Sequence, residues 1–487
     1  MLRVARQLTI ERLMIAILFI LLFVMAVRVP VDTDTWWHLR SGEWMLDEGR
    51  LLREDRFSHT RAGEVWINHS WGGQLILTLF YRATGGDGAI NDGGVVGLAL
   101  FTALLGAGGM VLVYQMCPGN IFSKAFVMVF GTAAAAVFWS PRPQMFSFFL
   151  SAALLYLLYL YKWRGVDRTW LIPWLMALWV NLHAGYIIGF ILLGGFWAGE
   201  ALAHVLHPAD DVRLSLRQLL QLAGLTLLAV LALALNPFGP RMILYPFETA
   251  GLQTLNLFIQ EWQSPNFKIP STWGFLLLLG GVLGLALLSE KRLAWSDISL
   301  MLGTLWLALW AGRNIALFAV VATPVLARLV DDFLMQRGWK LTPSRRPVRG
   351  ARLALNWVLL GGGGAGRHPQ SDGRFAARQR GRGASRIAAC GCRRLFSGQP
   401  ARRTAAQLLQ LGRVADLPAA RDAGFCGWPH RSLRRRFSAG VLPGLSGGFR
   451  VARPAERLRH SDCAAGSRNR AFDPAARVHN VAHCLSG

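Results

Sequence analysis

VVGLALFTALLGAGGMVLVYQM, residues Val95–Met116, runs for 22 residues without one charged side chain. A helix over that length rises about 33 Å at ~1.5 Å per residue, enough for the roughly 30 Å hydrocarbon core of a bilayer. The pattern recurs along the chain. Apolar runs lie at Leu13–Val29, Ala125–Trp139, Met145–Tyr161, Trp170–Leu182, Tyr186–Leu206, Leu219–Leu235, Trp273–Leu288, Ile298–Trp310 and Ile315–Leu329. A further one starts near Leu353 and stops at Gly361. The expected fold is an all-α polytopic membrane protein with about 10–11 transmembrane helices. Arg3, Arg6 and Arg12 precede the first run, but no small-x-small cleavage site follows it, so it reads as a retained helix.

Net charge points elsewhere at first. The 487 residues carry +25, a balance common in nucleic-acid binders. The charge is unevenly placed. Residues 361–487 hold 23 arginines, no lysine and six acidic residues, which makes +17, while the first 360 carry about +8 and nearly all the apolar runs. A nucleic-acid partner is not expected. Four regions follow: 1–30, a cytoplasmic N-terminus and first transmembrane helix; 31–92, a large outer acidic and aromatic loop; 93–360, a multi-helix membrane domain; and 361–487, an arginine-rich tail.

Orientation follows from the basic residues, which favour cytoplasmic loops. Arg3, Arg6 and Arg12 place the N-terminus in the cytoplasm. Alternate connections then carry Lys124; Lys162, Arg164 and Arg168; Arg213 and Arg217; Lys291 and Arg292; and Arg337, Lys340, Arg345 and Arg346. Residues 31–92, with ten acidic against six basic side chains, fall outside. The polar motifs sort with them. Asp32-Thr-Asp34, Ser140-Pro-Arg-Pro-Gln144, Asn181-Leu-His183, Asn236-Pro-Phe-Gly239, Glu261-Trp262 and Arg313-Asn314 all reach the outer side. The inner loops show only scattered basic residues. Polar groups at membrane ends are costly unless solvated or paired, so clustering on one face points to a site.

Each piece also has a plainer reading. Asp32 and Asp34 are either acidic flanks of an outgoing helix or a carboxylate pair that binds a divalent cation or serves as a base. Trp36 and Trp37 suit an interfacial belt. His38 and His69 suit ordinary loop histidines, and His183 beside Asn181 suits a structural role. Arg142 between prolines is a rigidly presented guanidinium of the kind that holds phosphate. Glu261 is the best acid/base or metal candidate outside the first loop.

Asp32-Thr-Asp-Thr-Trp-Trp-His-Leu39, Gly42-Glu-Trp44, Asp55-Arg-Phe-Ser58, Trp66, His69-Ser-Trp71 and Tyr81 resemble the first outer loop of a family of bacterial polytopic proteins. That family is similar to the GT-C superfamily of integral-membrane glycosyltransferases. Arg142-Pro-Gln144, Asn181-Leu-His183, Asn236-Pro-Phe-Gly239 and Glu261-Trp262 fit its pattern as well, so the likeness covers most of the first 330 residues. The pattern departs at Ser70, where the family usually has an acidic residue. The resemblance implies transfer of a sugar from a polyprenyl-phosphate donor at the outer face of the cytoplasmic membrane. Asp32, Asp34 and Glu261 would be catalytic, and His38, Arg142, His69, Asn181, His183 and Arg313 would bind substrate. A divalent metal, magnesium or manganese, would sit at Asp34. The implied partners are membrane lipid and the polyprenyl-linked sugar.

The family pattern continues past the last helix with a Trp-Gly-Gly segment and an Asp-Gly-Arg segment. Here Gln407–Arg413 and Gly427–Leu433, translated one nucleotide later, permit Asn-Ser-Tyr-Asn-Trp-Gly-Gly and Asp-Gly-Arg-Thr-Asp-Leu-Tyr. The tail is therefore expected to be a frameshift product without a fold. Its five cysteines lack zinc-ligand spacing. The competing reading of the whole chain is a transporter or lipid flippase without chemistry. Such a protein should carry ionisable residues near the bilayer midplane, and often an internal repeat.

Overall fold

Each of the ten complete apolar runs carries a helix in the computed structural model, which describes residues 9–88, 93–206, 212–290, 292–339, 353 and 355–359. They are α1 (Ile10–Ala26), α4 (Gly94–Met116), α5 (Ile121–Ala135), α6 (Gln144–Trp163), α7 (Ile172–Leu182) and α8 (Tyr186–Val205). α9 (Leu216–Ala232), α12 (Trp273–Leu288), α13 (Trp295–Trp310) and α14 (Ile315–Gln336) complete that set. Between them lie α2 (Thr33–Glu48), α3 (Trp71–Ala83) and two short helices, α10 (Tyr245–Ala250) and α11 (Gln253–Phe258). Among the described residues there is no strand, only one isolated antiparallel bridge between Glu54 and Val65. The arginine-rich tail, and with it the frameshift expectation, lies outside the described residues.

Among the described residues, six helical stretches are long and apolar enough to cross a membrane: Gly94–Met116, Ile121–Phe138, Gln144–Trp163, Tyr186–Val205, Leu216–Leu235 and Pro270–Leu288. Their surfaces agree with that reading. α9 exposes Leu220, Leu227, Leu228 and Leu231, and α12 exposes Leu277, Leu283 and Leu287. Such contiguous leucine faces would be a liability in water and are at ease in lipid. α14 is different. Leu317 through Val325 are buried, so this helix is apolar all round and stands inside the bundle against α5, α12 and α13.

Residues 31–92 are expected as a loop, but the described part, 31–88, contains α2 and α3. Asp32 caps α2 by accepting the Asp34 backbone N–H at 3.0 Å, and Gly49, at φ +65°, ends it in a left-handed turn. The buried stripe Thr35, Leu39, Gly42 and Met45 is spaced at helical intervals and packs on α3. That stripe is polar at one end and small in the middle, so no apolar run announces it. The close approach requires glycine: a Cβ on Gly42 would overlap the Thr78 hydroxyl and the Gln74 carbonyl.

A second difference lies at the opposite end of the bundle, where the sequence reads as scattered basic residues and the structure pairs some of them. Lys162 Nζ at the C-terminus of α6 meets Glu200 Oε1 of α8 at 2.7 Å and Ser296 Oγ of α13 at 2.8 Å. Glu200 Oε2 accepts the Leu214 N–H at 3.0 Å. Beside them Arg328 of α14 pairs with Asp297 at 2.6 Å and lies over the Trp163 ring. These charges are far apart in sequence, and only helix packing brings them together.

Candidate active site

The acidic residues that follow α1 do not stand alone. Asp32 Oδ2 lies 3.1 Å from Arg142 Nε and Asp34 Oδ2 lies 2.9 Å from an Arg142 terminal nitrogen. The other terminal nitrogen reaches Glu261 Oε2 at 2.6 Å. Arg142 is held for this by its own turn: its backbone N–H donates to the Ser140 carbonyl at 2.7 Å, and its Nε to Ser140 Oγ at 2.9 Å. With a side chain only 8% exposed, the guanidinium needs every one of these acceptors. Burial works against its charge, but Glu261, Asp32 and Asp34 together outweigh it and keep Arg142 above the ordinary arginine value.

The carboxylates differ in what remains free. Glu261 Oε1 faces Arg313 at 3.3 Å, so both its oxygens are engaged. Asp32 has one oxygen on the α2 cap and the other on Arg142. Asp34 is 56% exposed, and its Oδ1 has no partner among the described residues. Arg313 stacks on Trp262 at 4.7 Å. Burial first, then the Arg142 charge, lower the Arg313 value, with Glu261 opposing.

Three histidines line up beside this cage. Asn68 Nδ2 donates to Gln74 Oε1 at 2.8 Å, which turns the Gln74 amide nitrogen toward His38 Nδ1 at 3.1 Å. His38 therefore accepts at Nδ1 and carries its proton on Nε2. His69 Nδ1 meets the Tyr245 hydroxyl at 2.8 Å, and its ring stands edge-on to His183, 6.1 Å away. His183 Nδ1 meets Ser147 Oγ at 2.8 Å and the Gly185 N–H at 3.0 Å. Although each ring keeps an accessible edge, burial is the main cause that lowers all three. It combines with His69 and Arg142 to hold His38 at about 3, and with Arg313 to hold His69 at about 4. Burial and the neighbouring His69, Arg313, His38 and Arg142 hold His183 well below the ordinary histidine value.

His183 and Arg313 also line a narrow cavity of about 80 Å³ that runs among Phe138, Trp139, Phe148 and Leu317.

The structure thus gathers Asp32, Asp34, Arg142, Glu261 and Arg313 into one ion-pair network, with His38, His69 and His183 alongside. Asn181 is placed differently. Its side chain accepts from Trp71 at 3.2 Å and Asn236 at 3.3 Å, and donates to the Ala177 and Leu235 carbonyls. It ties α3, α7 and the end of α9 together, which leaves it little capacity for a ligand. Gln74, Ser147, Trp179 and Tyr245 belong to the site and carry no signal in sequence, since each sits inside a helix among apolar neighbours. Ser70, the departure from the family pattern, is fully buried, and its hydroxyl has no partner among the described residues.

The expected metal fits this arrangement poorly. Three carboxylates converge, but the cation at their centre is the Arg142 guanidinium. Among the described residues no group of three or more histidine, cysteine, aspartate or glutamate side chains is placed to hold a metal ion. Magnesium and manganese want several oxygen ligands around one point, whereas only Asp34 Oδ1 is unengaged. A scan against protein-family models finds no match for this chain, and neither does a comparison with curated proteins.

Proposed function

We propose that the chain is a GT-C-like membrane glycosyltransferase, taking a sugar from a polyprenyl-phosphate donor at the outer face of the cytoplasmic membrane. The observation that carries this reading is the convergence of Asp34, Glu261, Arg142 and Arg313 at one end of an apolar helical bundle. A lipid-linked donor cannot leave the bilayer, so the reacting groups have to meet it where the helices end. With the N-terminus inside and α1, α4–α9 and α12–α14 as ten crossings, that end is the outer one.

The three acids then have separate tasks. Asp34, exposed and with a free oxygen, is the base: it takes the proton of the acceptor hydroxyl while that oxygen forms its bond to the anomeric carbon. The bond from that carbon to the phosphate oxygen breaks, and the polyprenyl phosphate leaves. Arg313 stabilises the charge gathered on the departing phosphate. Asp32 and Glu261 hold Arg142, which keeps the Asp34 carboxylate in place. No step passes through a metal.

The test is transfer of labelled sugar from a polyprenyl-phosphate pool in membranes carrying the chain, and in membranes carrying a version with the 361–487 frame restored. Asp34→Asn is expected to lower turnover about a hundredfold or more without changing membrane insertion. Full activity in Asp32→Asn/Asp34→Asn would return these residues to flank charges. The second reading, a transporter or flippase, draws on the buried Lys162–Glu200 pair, 2% and 0% exposed, because buried charges within apolar helices often mark transport pathways. Substrate movement across vesicles without any glycosyl transfer would select it.

A further inference from the structure

His183 sits in a hydrogen-bond arrangement that decides which of its nitrogens carries the proton. The Gly185 backbone N–H lies 3.0 Å from Nδ1 and can only donate, so Nδ1 must present a lone pair. Trp179 Nε1, also a donor only, reaches Ser147 Oγ at 2.8 Å. Ser147 thus accepts from the indole and turns its own hydrogen toward His183 Nδ1, 2.8 Å away. Two donors converge on Nδ1, which leaves the imidazole proton on Nε2. Ser147 and Trp179 are buried, and the arrangement joins α6, α7 and the turn that opens α8. Nε2 has no partner among the described residues, and the ring lines the cavity that Arg313 also lines.

Resting on the lipid-phosphate reading above, we propose that His183 is a fixed neutral Nε2–H donor to a phosphate oxygen of the ligand, and that Ser147 is a positioning residue that, with the Gly185 N–H, holds this tautomer. His183 is then not a base. Protonation at Nδ1 would set that N–H directly against the Gly185 N–H. The charged and titratable groups facing the ring, His38, His69, Arg142 and Arg313, offer it no negative charge. A ligand phosphate would find a cation in Arg313 and a directed, uncharged donor in His183.

The test uses the full chain in detergent with ¹⁵N-labelled histidine, and farnesyl phosphate as probe with farnesol as its uncharged control. The expected spectrum gives His183, identified by its loss in a His183 variant, an unprotonated Nδ1 and a protonated Nε2 at pH 7. Ser147→Ala should raise the His183 titration toward the ordinary histidine range, and Ser147→Thr, which keeps the hydroxyl, should restore it. The amide of asparagine reaches about as far as Nδ1, and that of glutamine about as far as Nε2. His183→Asn should therefore keep the Gly185 and Ser147 bonds yet weaken farnesyl phosphate binding about tenfold or more, with farnesol unaffected. His183→Gln should retain most of the affinity. A protonated Nδ1 in the native protein would overturn the proposal whatever binds, as would equal losses in the Asn and Gln variants. An intact Nε2–H tautomer with no farnesyl phosphate binding by the native chain would overturn the phosphate role together with the lipid-phosphate reading.

Discussion

Arg142 shows why single residues in this site cannot be judged from their neighbours in sequence. Its partners lie 108, 110 and 119 positions away, and the guanidinium is stable at that depth only because all three carboxylates reach it. The histidines beside it make the site acid-sensitive. A histidine whose folded value lies below its ordinary one binds its proton more readily when unfolded, so stability rises with pH in between. For His69 that window runs from the ordinary value of 6.5 down to about 4, and for His38 from 6.5 down to about 3. Their contribution is complete above about 6.5 and is lost progressively as pH falls. Thermal unfolding in detergent across this range should show the decline, and His69→Gln should flatten it. An unchanged slope in that variant would assign the acid sensitivity to His38 and His183, whose values are also lowered.

At the level of elements, the placement of Asp32 and Asp34 depends on α2 lying flat against α3. Gly42 faces Thr78 and Gln74, and Gly73 faces the Leu182 carbonyl and Pro143, with no room for a side chain at either position. Gly42→Ala should cost about 1–3 kcal/mol through overpacking and tilt the helix that carries both aspartates. Activity should then fall more than in Gly224→Ala, where no atom lies within reach of a new Cβ. Chemical unfolding and the transfer assay on the two variants would separate the effects. Equal behaviour would mean that α2 is not held by this contact. The helix itself was hidden in the sequence because its buried stripe of Thr35, Leu39, Gly42 and Met45 is no more apolar than a loop. The ten apolar runs were plain because an uninterrupted apolar stretch is read directly off the chain.

For the whole molecule, the buried Lys162–Glu200 pair fastens α6, α8 and, through Ser296, α13 at the end opposite the site. Glu200→Gln removes a carboxylate 2.7 Å from a buried ammonium and should destabilise by about 3–5 kcal/mol. Lys162→Met with Glu200→Leu should recover most of that loss, as read by thermal unfolding in detergent. Recovery would mark a structural clamp; loss of substrate movement in the doubly substituted protein would mark a transport element instead. Topology is open to a direct check. In a background without native cysteines, Arg50→Cys should react with an impermeant label from outside the cell, and reaction only from the cytoplasmic side would invert the proposed arrangement.

The ten apolar helices and the two charge regimes of the chain were determined by the sequence alone, since a continuous apolar run is written along the chain in one dimension. The residues of the ion-pair network were legible as candidates, because Asp32, Asp34, Arg142, Glu261 and Arg313 all fall at helix ends of one parity. What each does was not legible. That Asp34 alone keeps a free oxygen, that Asn181 is a strut, and that Ser147 helps hold the tautomer of His183 depends on side chains meeting from different helices. Only the tertiary structure decided those pairings, because hydrogen bonds and ion pairs act over about 3 Å and the residues that make them are up to 176 positions apart.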